Sequence, residues 1–234
     1  MNRIDESLEI HSELNPKLFD KDKHLKPDVF KALADIADTF IEDLQENEVP
    51  IRIVDIWLVG SNASYNYTNN SDIDIHIIAD IDSESCDSRV LSLLYNYAKS
   101  SFNSNHDITV KGSPVEVYIE DMNSSSISNG IYSLVQDKWL KEPKPLPFID
   151  TNTERLAELK QLIDKYNSID KSDIEAVNDL IDYAYLVRKV GLQDGEFSDG
   201  NLSFKEFRNQ GYLDKLKELK NELVSKKLTL EKFN

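Results

Sequence analysis

Residues 71–78 read SDIDIHII, an alternation of aspartate and histidine with isoleucine that limits the fold more than any other stretch. Successive side chains of a strand point to opposite faces, so Ile73, Ile75 and Ile77 line one face while Asp72, Asp74 and His76 line the other. Two carboxylates on one face repel unless positive charge lies between them. Upstream, Val49 to Val59 is mostly apolar and β-branched, is expected as a strand buried on both sides, and ends at Gly60. Between the two runs, Ser61 to Tyr67 is expected as a short helix with Ser61 as its N-cap. Asn69-Asn70-Ser71 is the turn into the second strand.

The flanking pattern is mixed. Val29, Phe30, Leu33, Ile36, Ala37, Phe40, Ile41 and Leu44 recur at helical spacing over Pro27 to Gln45, with Pro27 in the first turn. A second helix is expected over Cys86 to Phe102. The runs ITVK (108–111) and VEVYIE (115–120) around Gly112-Ser113-Pro114 predict a hairpin. Its second arm sets Glu116, Tyr118 and Glu120 against Val115, Val117 and Ile119. One or two short strands fit Gly130 to Leu140, before PKPLP (143–147) breaks the pattern. Thr153 to Tyr166, Ile174 to Val190 and Phe204 to Lys227 are then helical, with GLQDGEFSDGNLS (191–203) as a connecting loop. The expected fold is α/β of the α+β kind: a mixed sheet flanked by helices in residues 1–147, followed by a helical region in 148–234.

With 40% hydrophobic residues among 234, the chain can bury a real core. Its 27 basic residues face 43 acidic ones, a formal charge of −16 that repels phosphate backbones and argues against an extended nucleic-acid surface. The single cysteine, Cys86, excludes an intramolecular disulfide. No apolar leader and no run of membrane-spanning length stand out, so the expected location is cytoplasmic, with no membrane partner.

Asp72, Asp74 and Glu116 on neighbouring strands can converge on divalent ions, and Glu120 shares the face of Glu116 nearer the strand end. Magnesium, with manganese as its substitute, takes oxygen ligands and completes its shell from substrate phosphates. Gly60 lets backbone N–H groups approach a phosphate, and a helix opening at Ser61 aims its positive end there. In order, apolar-Gly60-Ser61, a polar spacer, Asp72-Ile73-Asp74-Ile75 and a distant strand carboxylate resemble the signature of the polymerase-β-like nucleotidyltransferase superfamily, over roughly residues 50 to 120. The resemblance implies that Gly60 and Ser61 hold the phosphates of a nucleoside triphosphate such as ATP, and that Asp72 and Asp74 bind metal. It also implies that Glu116 completes a metal site and assists deprotonation of a hydroxyl acceptor, which is a small molecule, a protein or an RNA end in different members. A non-catalytic nucleotide-binding or antitoxin-like interaction module on the same fold is the rival reading.

One departure stands inside the motif. Residues 62–70 hold no lysine or arginine, where many minimal members of the superfamily carry a basic residue soon after the serine. Arg188, Lys189, Lys205 and Arg208, around the glycine-rich loop, are the candidate triphosphate contacts, weighed against plain surface ion pairs. His76 is weighed between a phosphate contact and an ordinary hydrogen-bonded histidine, and Tyr65, Tyr67 and Tyr118 between base stacking and packing.

Overall fold

The computed structural model describes residues 10–69, 71–81, 87–124, 128–145, 153–195 and 198–229, with side chains from 157 onward in the helix that opens at 153. They fall into two compact units that divide between residues 148 and 149.

The first unit begins with α1 (Pro27–Glu46), whose buried stripe is Val29, Leu33, Ala37, Phe40 and Leu44. That stripe packs on one face of a six-stranded sheet through Ile73, Ile75, Ile77, Val115 and Val117. Fully burying each such side chain contributes about 1.5–3 kcal/mol, so this layer anchors the unit. The strands are β1 (Ile53–Val59), β2 (Ile73–Ala79), β3 (Thr109–Val110), β4 (Ser113–Asp121), β5 (Ile131–Ser133) and β6 (Lys138–Lys141), in the order β3-β4-β2-β1-β5-β6. All neighbours are antiparallel except β2 and β4, which run parallel. The parallel pair is joined by α2 (Ser88–Asn105), as a parallel connection requires. Leu91, Tyr95 and Phe102 are its buried residues.

Several elements differ from the sequence expectation. β1 starts at Ile53 and not Val49, because Pro50 has no N–H and Val49 instead donates to Leu44 O at the end of α1. The expected helix over residues 61–67 is a single 3₁₀ turn, Ser61–Ala63, capped by Gly60 and not by Ser61, whose hydroxyl is drawn to Ser71. Asp87, which accepts from Arg89 N, is the N-cap of α2; Cys86 lies outside the described residues.

The second unit is helical: α3 (Thr153–Ser168), α4 (Ile174–Asp194), α5 (Asp199–Asn209) and α6 (Tyr212–Leu228). Its core includes Leu162, Val177, Ala184, Phe204, Phe207 and Leu216. The single helix expected over 204–227 is two, broken at Gly211, whose φ of 77° lies in the left-handed region. The second half of the glycine-rich loop is the first turn of α5, where Ser198 accepts from Asn201 N as N-cap. Among the described residues, no helix is long and apolar enough to cross a membrane.

Candidate active site

The turn after β1 and the start of β2 are tied into one piece. Asn62, fully buried, donates from Nδ2 to Ser71 O at 3.2 Å and Asp72 O at 2.8 Å. Its Oδ1 accepts from Asn15 Nδ2 at 2.8 Å. Ser61 Oγ donates to Ser71 Oγ at 2.9 Å, and Thr68 N donates to the same oxygen at 2.9 Å. The polar spacer therefore works through amides and hydroxyls: it fixes where Ser61 stands relative to Asp72.

Register does the rest. Val59 pairs with Asp74, and Asp74 pairs with Glu116 on the parallel strand. Asp74 and Glu116 are thus side by side, whereas Glu120 is level with Ile78. Asp72 lies one residue before β2, half-buried, on the Asp74 side of the pleat. Gly60 closes on the same group: a Cβ built there would lie 2.0 Å from Asp74 Oδ2, on a backbone with φ of 77°. Only glycine leaves that space open.

The next row along the strands is Trp57, His76 and Tyr118. The Tyr118 hydroxyl donates to Glu116 Oε2. Burial first, then that bond and the charges of Glu116, Asp74 and Asp72, push the phenol well above its ordinary range. One hydroxyl thus feels all three carboxylates. His76 Nδ1 lies 2.6 Å from Glu120 Oε2, so the histidine is engaged with a carboxylate two rows from Asp74. Lys99 of α2 stands over the Tyr118 ring, Nζ 4.4 Å from its centroid. Burial lowers the Lys99 pKa, and the Glu116 charge opposes that shift.

These groups fit a hard divalent cation in donor type, carboxylate oxygens on rigid strands beside a glycine that clears the space. Among the described residues, no three His, Cys, Asp or Glu side chains are already gathered into a metal-holding group; Glu116 is held by Tyr118 instead. Another acid on β1, Asp55, is structural. Buried, it accepts from Ser133 Oγ at 2.7 Å, Ile56 N at 2.8 Å and Gln136 Nε2 at 3.3 Å, which fastens β5 to β1.

Of the other candidates, Tyr65 is buried and Tyr67 stacks on His11 with centroids 3.9 Å apart, both packing roles. Arg188 lies in the helical unit with its guanidinium 5.1 Å from the Phe204 ring centroid. Asn62 and Lys99 escaped sequence reading. Asn62 sits in a run of ordinary turn residues, and the neighbours of Lys99 come from a strand that sequence pattern does not bring to it.

A family model described as a nucleotidyltransferase domain matches residues 37–177, from within α1 through the whole sheet and into α4. No curated protein and no solved structure matches the chain.

Proposed function

Because the chain belongs to the nucleotidyltransferase domain family, we propose that it moves a nucleoside monophosphate from a nucleoside triphosphate to a hydroxyl acceptor, with Asp72, Asp74 and Glu116 as its working acids. The observation that carries this reading is the row Val59, Asp74, Glu116, with Gly60 packed against Asp74 Oδ2. Gly60 and Ser61 seat the β- and γ-phosphates on the N–H groups of the 3₁₀ turn. Asp72 and Asp74, with Glu116, would hold magnesium or manganese. The chemistry such an ion would supply is charge neutralisation on the phosphates and a lowered pKa for the attacking hydroxyl.

The acceptor oxygen forms a bond to the α-phosphorus as the bond from that phosphorus to the bridging oxygen breaks. The electron pair leaves with pyrophosphate, and the hydroxyl proton passes to the Glu116 carboxylate and on to water. Tyr118 orients Glu116 by donating to one of its oxygens, leaving the two lone pairs of the other for an ion and the acceptor. Rigid strands supply positioning, the main resource in phosphoryl transfer.

The test follows α-labelled nucleoside triphosphates, with magnesium or manganese, into a cell extract. Wild type is expected to label an extract component and release pyrophosphate, and the Asp72→Asn/Asp74→Asn double variant to lose at least about a hundredfold. Equal labelling by the two proteins sinks the enzyme reading and leaves the nucleotide-binding module. Glu116→Gln inactive with Glu120→Gln active is the expected pattern for the third acid; the reverse assigns that role to Glu120.

A further inference from the structure

The site has a direction. Across the sheet come the Gly60-Ser61 turn at the end of β1, then Asp74 on β2, then Glu116 on β4. Next to Glu116 on β4 is Tyr118, with Lys99 of α2 over its ring at 4.4 Å. In an in-line displacement the attacking and leaving oxygens lie on opposite sides of phosphorus. With the leaving phosphates at the turn, the acceptor enters from the Glu116 side, where Lys99 stands over the Tyr118 ring.

Lys99 is not an ordinary surface lysine. It sits at the margin of the packed face of α2, half-buried, between the buried residues Tyr95 and Phe102. Among the described residues its ammonium has no hydrogen bond and no ion pair; a ring face and the charge of Glu116 are what it feels. A partly desolvated ammonium in that state gains from an anion brought within reach.

We propose that Lys99 is the acceptor-side cation of this site, and that the acceptor is a small hydroxyl compound carrying a phosphate close to its hydroxyl. The proposal rests on the transferase reading above. One lysine matches one phosphate, and a net charge of −16 turns away a long polyanion that a single phosphate escapes. An acceptor with an amine in place of that phosphate sets a like charge against Lys99. The reaction keeps the balance given above; Lys99 neither gains nor loses a proton in it.

The experiment uses a matched trio of acceptors, adenosine, adenosine 5′-monophosphate and 5′-amino-5′-deoxyadenosine, with each α-labelled nucleoside triphosphate and magnesium. Wild type is expected to label the monophosphate at least tenfold faster than adenosine, with the amine slowest. Lys99→Ala levels the first two, Lys99→Arg keeps the preference, and Lys99→Glu inverts the order. Equilibrium dialysis of labelled adenosine 5′-monophosphate, without metal or triphosphate, reads the same contact without turnover: Lys99→Ala is expected to bind at least tenfold more weakly while its melting temperature stays with wild type. Overturning results are a wild type that does not favour the monophosphate, a wild type that labels none of the trio, or a Lys99→Ala protein that keeps both preference and affinity. Extract labelling by wild type and by the Asp72→Asn/Asp74→Asn variant runs alongside. If that labelling persists in wild type alone, the transferase reading stands and only the Lys99 proposal falls; if the two proteins label alike, both fall.

Discussion

A methyl group at residue 60 would need the space of the Asp74 carboxylate, 2.0 Å from Oδ2, on backbone already at φ of 77°. Gly60→Ala is therefore expected to cost about 1–3 kcal/mol in urea unfolding. Label transfer should fall by at least about a hundredfold, as when a transition-state contact is lost. Near-wild-type transfer in that variant would remove the turn from the phosphate site. Tyr118 offers a check without turnover. Its phenol is raised above the ordinary 10.0 by burial and by neighbouring carboxylates, so the folded state favours the neutral form. The sign follows: that contribution to stability is complete below the unfolded value and is lost as pH rises through the folded one. Spectrophotometric titration of the 10 tyrosines should show phenols that lag behind the rest. Tyr118→Phe should remove one of them and leave Tyr132, which burial and Asp137 raise in the same direction.

Among the elements, the piece that joins β1 to β2 depends on one side chain. Asn62→Ala strips a donor from the carbonyls of Ser71 and Asp72 and takes the Asn62 Oδ1 acceptor from Asn15 Nδ2. The expected loss is about 1–3 kcal/mol in urea unfolding, and Asn15→Ala, which leaves both carbonyls served, should lose less. Equal midpoints for both variants would mean that the amide bridge carries no weight. α1 was legible almost to the residue, because eight apolar positions at helical spacing begin at a proline suited to the first turn. The alternation in 71–78 and 115–120 likewise announced two strands and which side chains share a face. What stayed hidden is pairing. Nothing in either run says that β2 and β4 lie parallel, nor that Asp74 is level with Glu116 and not with Glu120. Gly211 did carry the break between α5 and α6, but a helical period running on both sides of it masked the signal. Asn62 and Lys99 have partners that only tertiary contact supplies.

On the scale of the whole molecule, −16 on 234 residues sets up a self-repulsion that salt relieves. Thermal melting should shift upward between low and moderate sodium chloride. Magnesium matched for ionic strength should add about 2–4 °C for each kcal/mol of specific binding. That extra shift should vanish in the Asp72→Asn/Asp74→Asn protein; its survival there would point to diffuse counter-ions in place of a site. The parallel pairing of β2 with β4 also orders events in time. The turn, Asp72 and Asp74 are expected to come together first, through contacts near in sequence, with Glu116 following once the chain has passed through α2 and closed a long loop. On the transferase reading proposed above, a chain caught between those steps has the Gly60-Ser61 turn and Asp74 in place without Glu116, so capacity to grip a nucleotide would precede capacity to use it during folding.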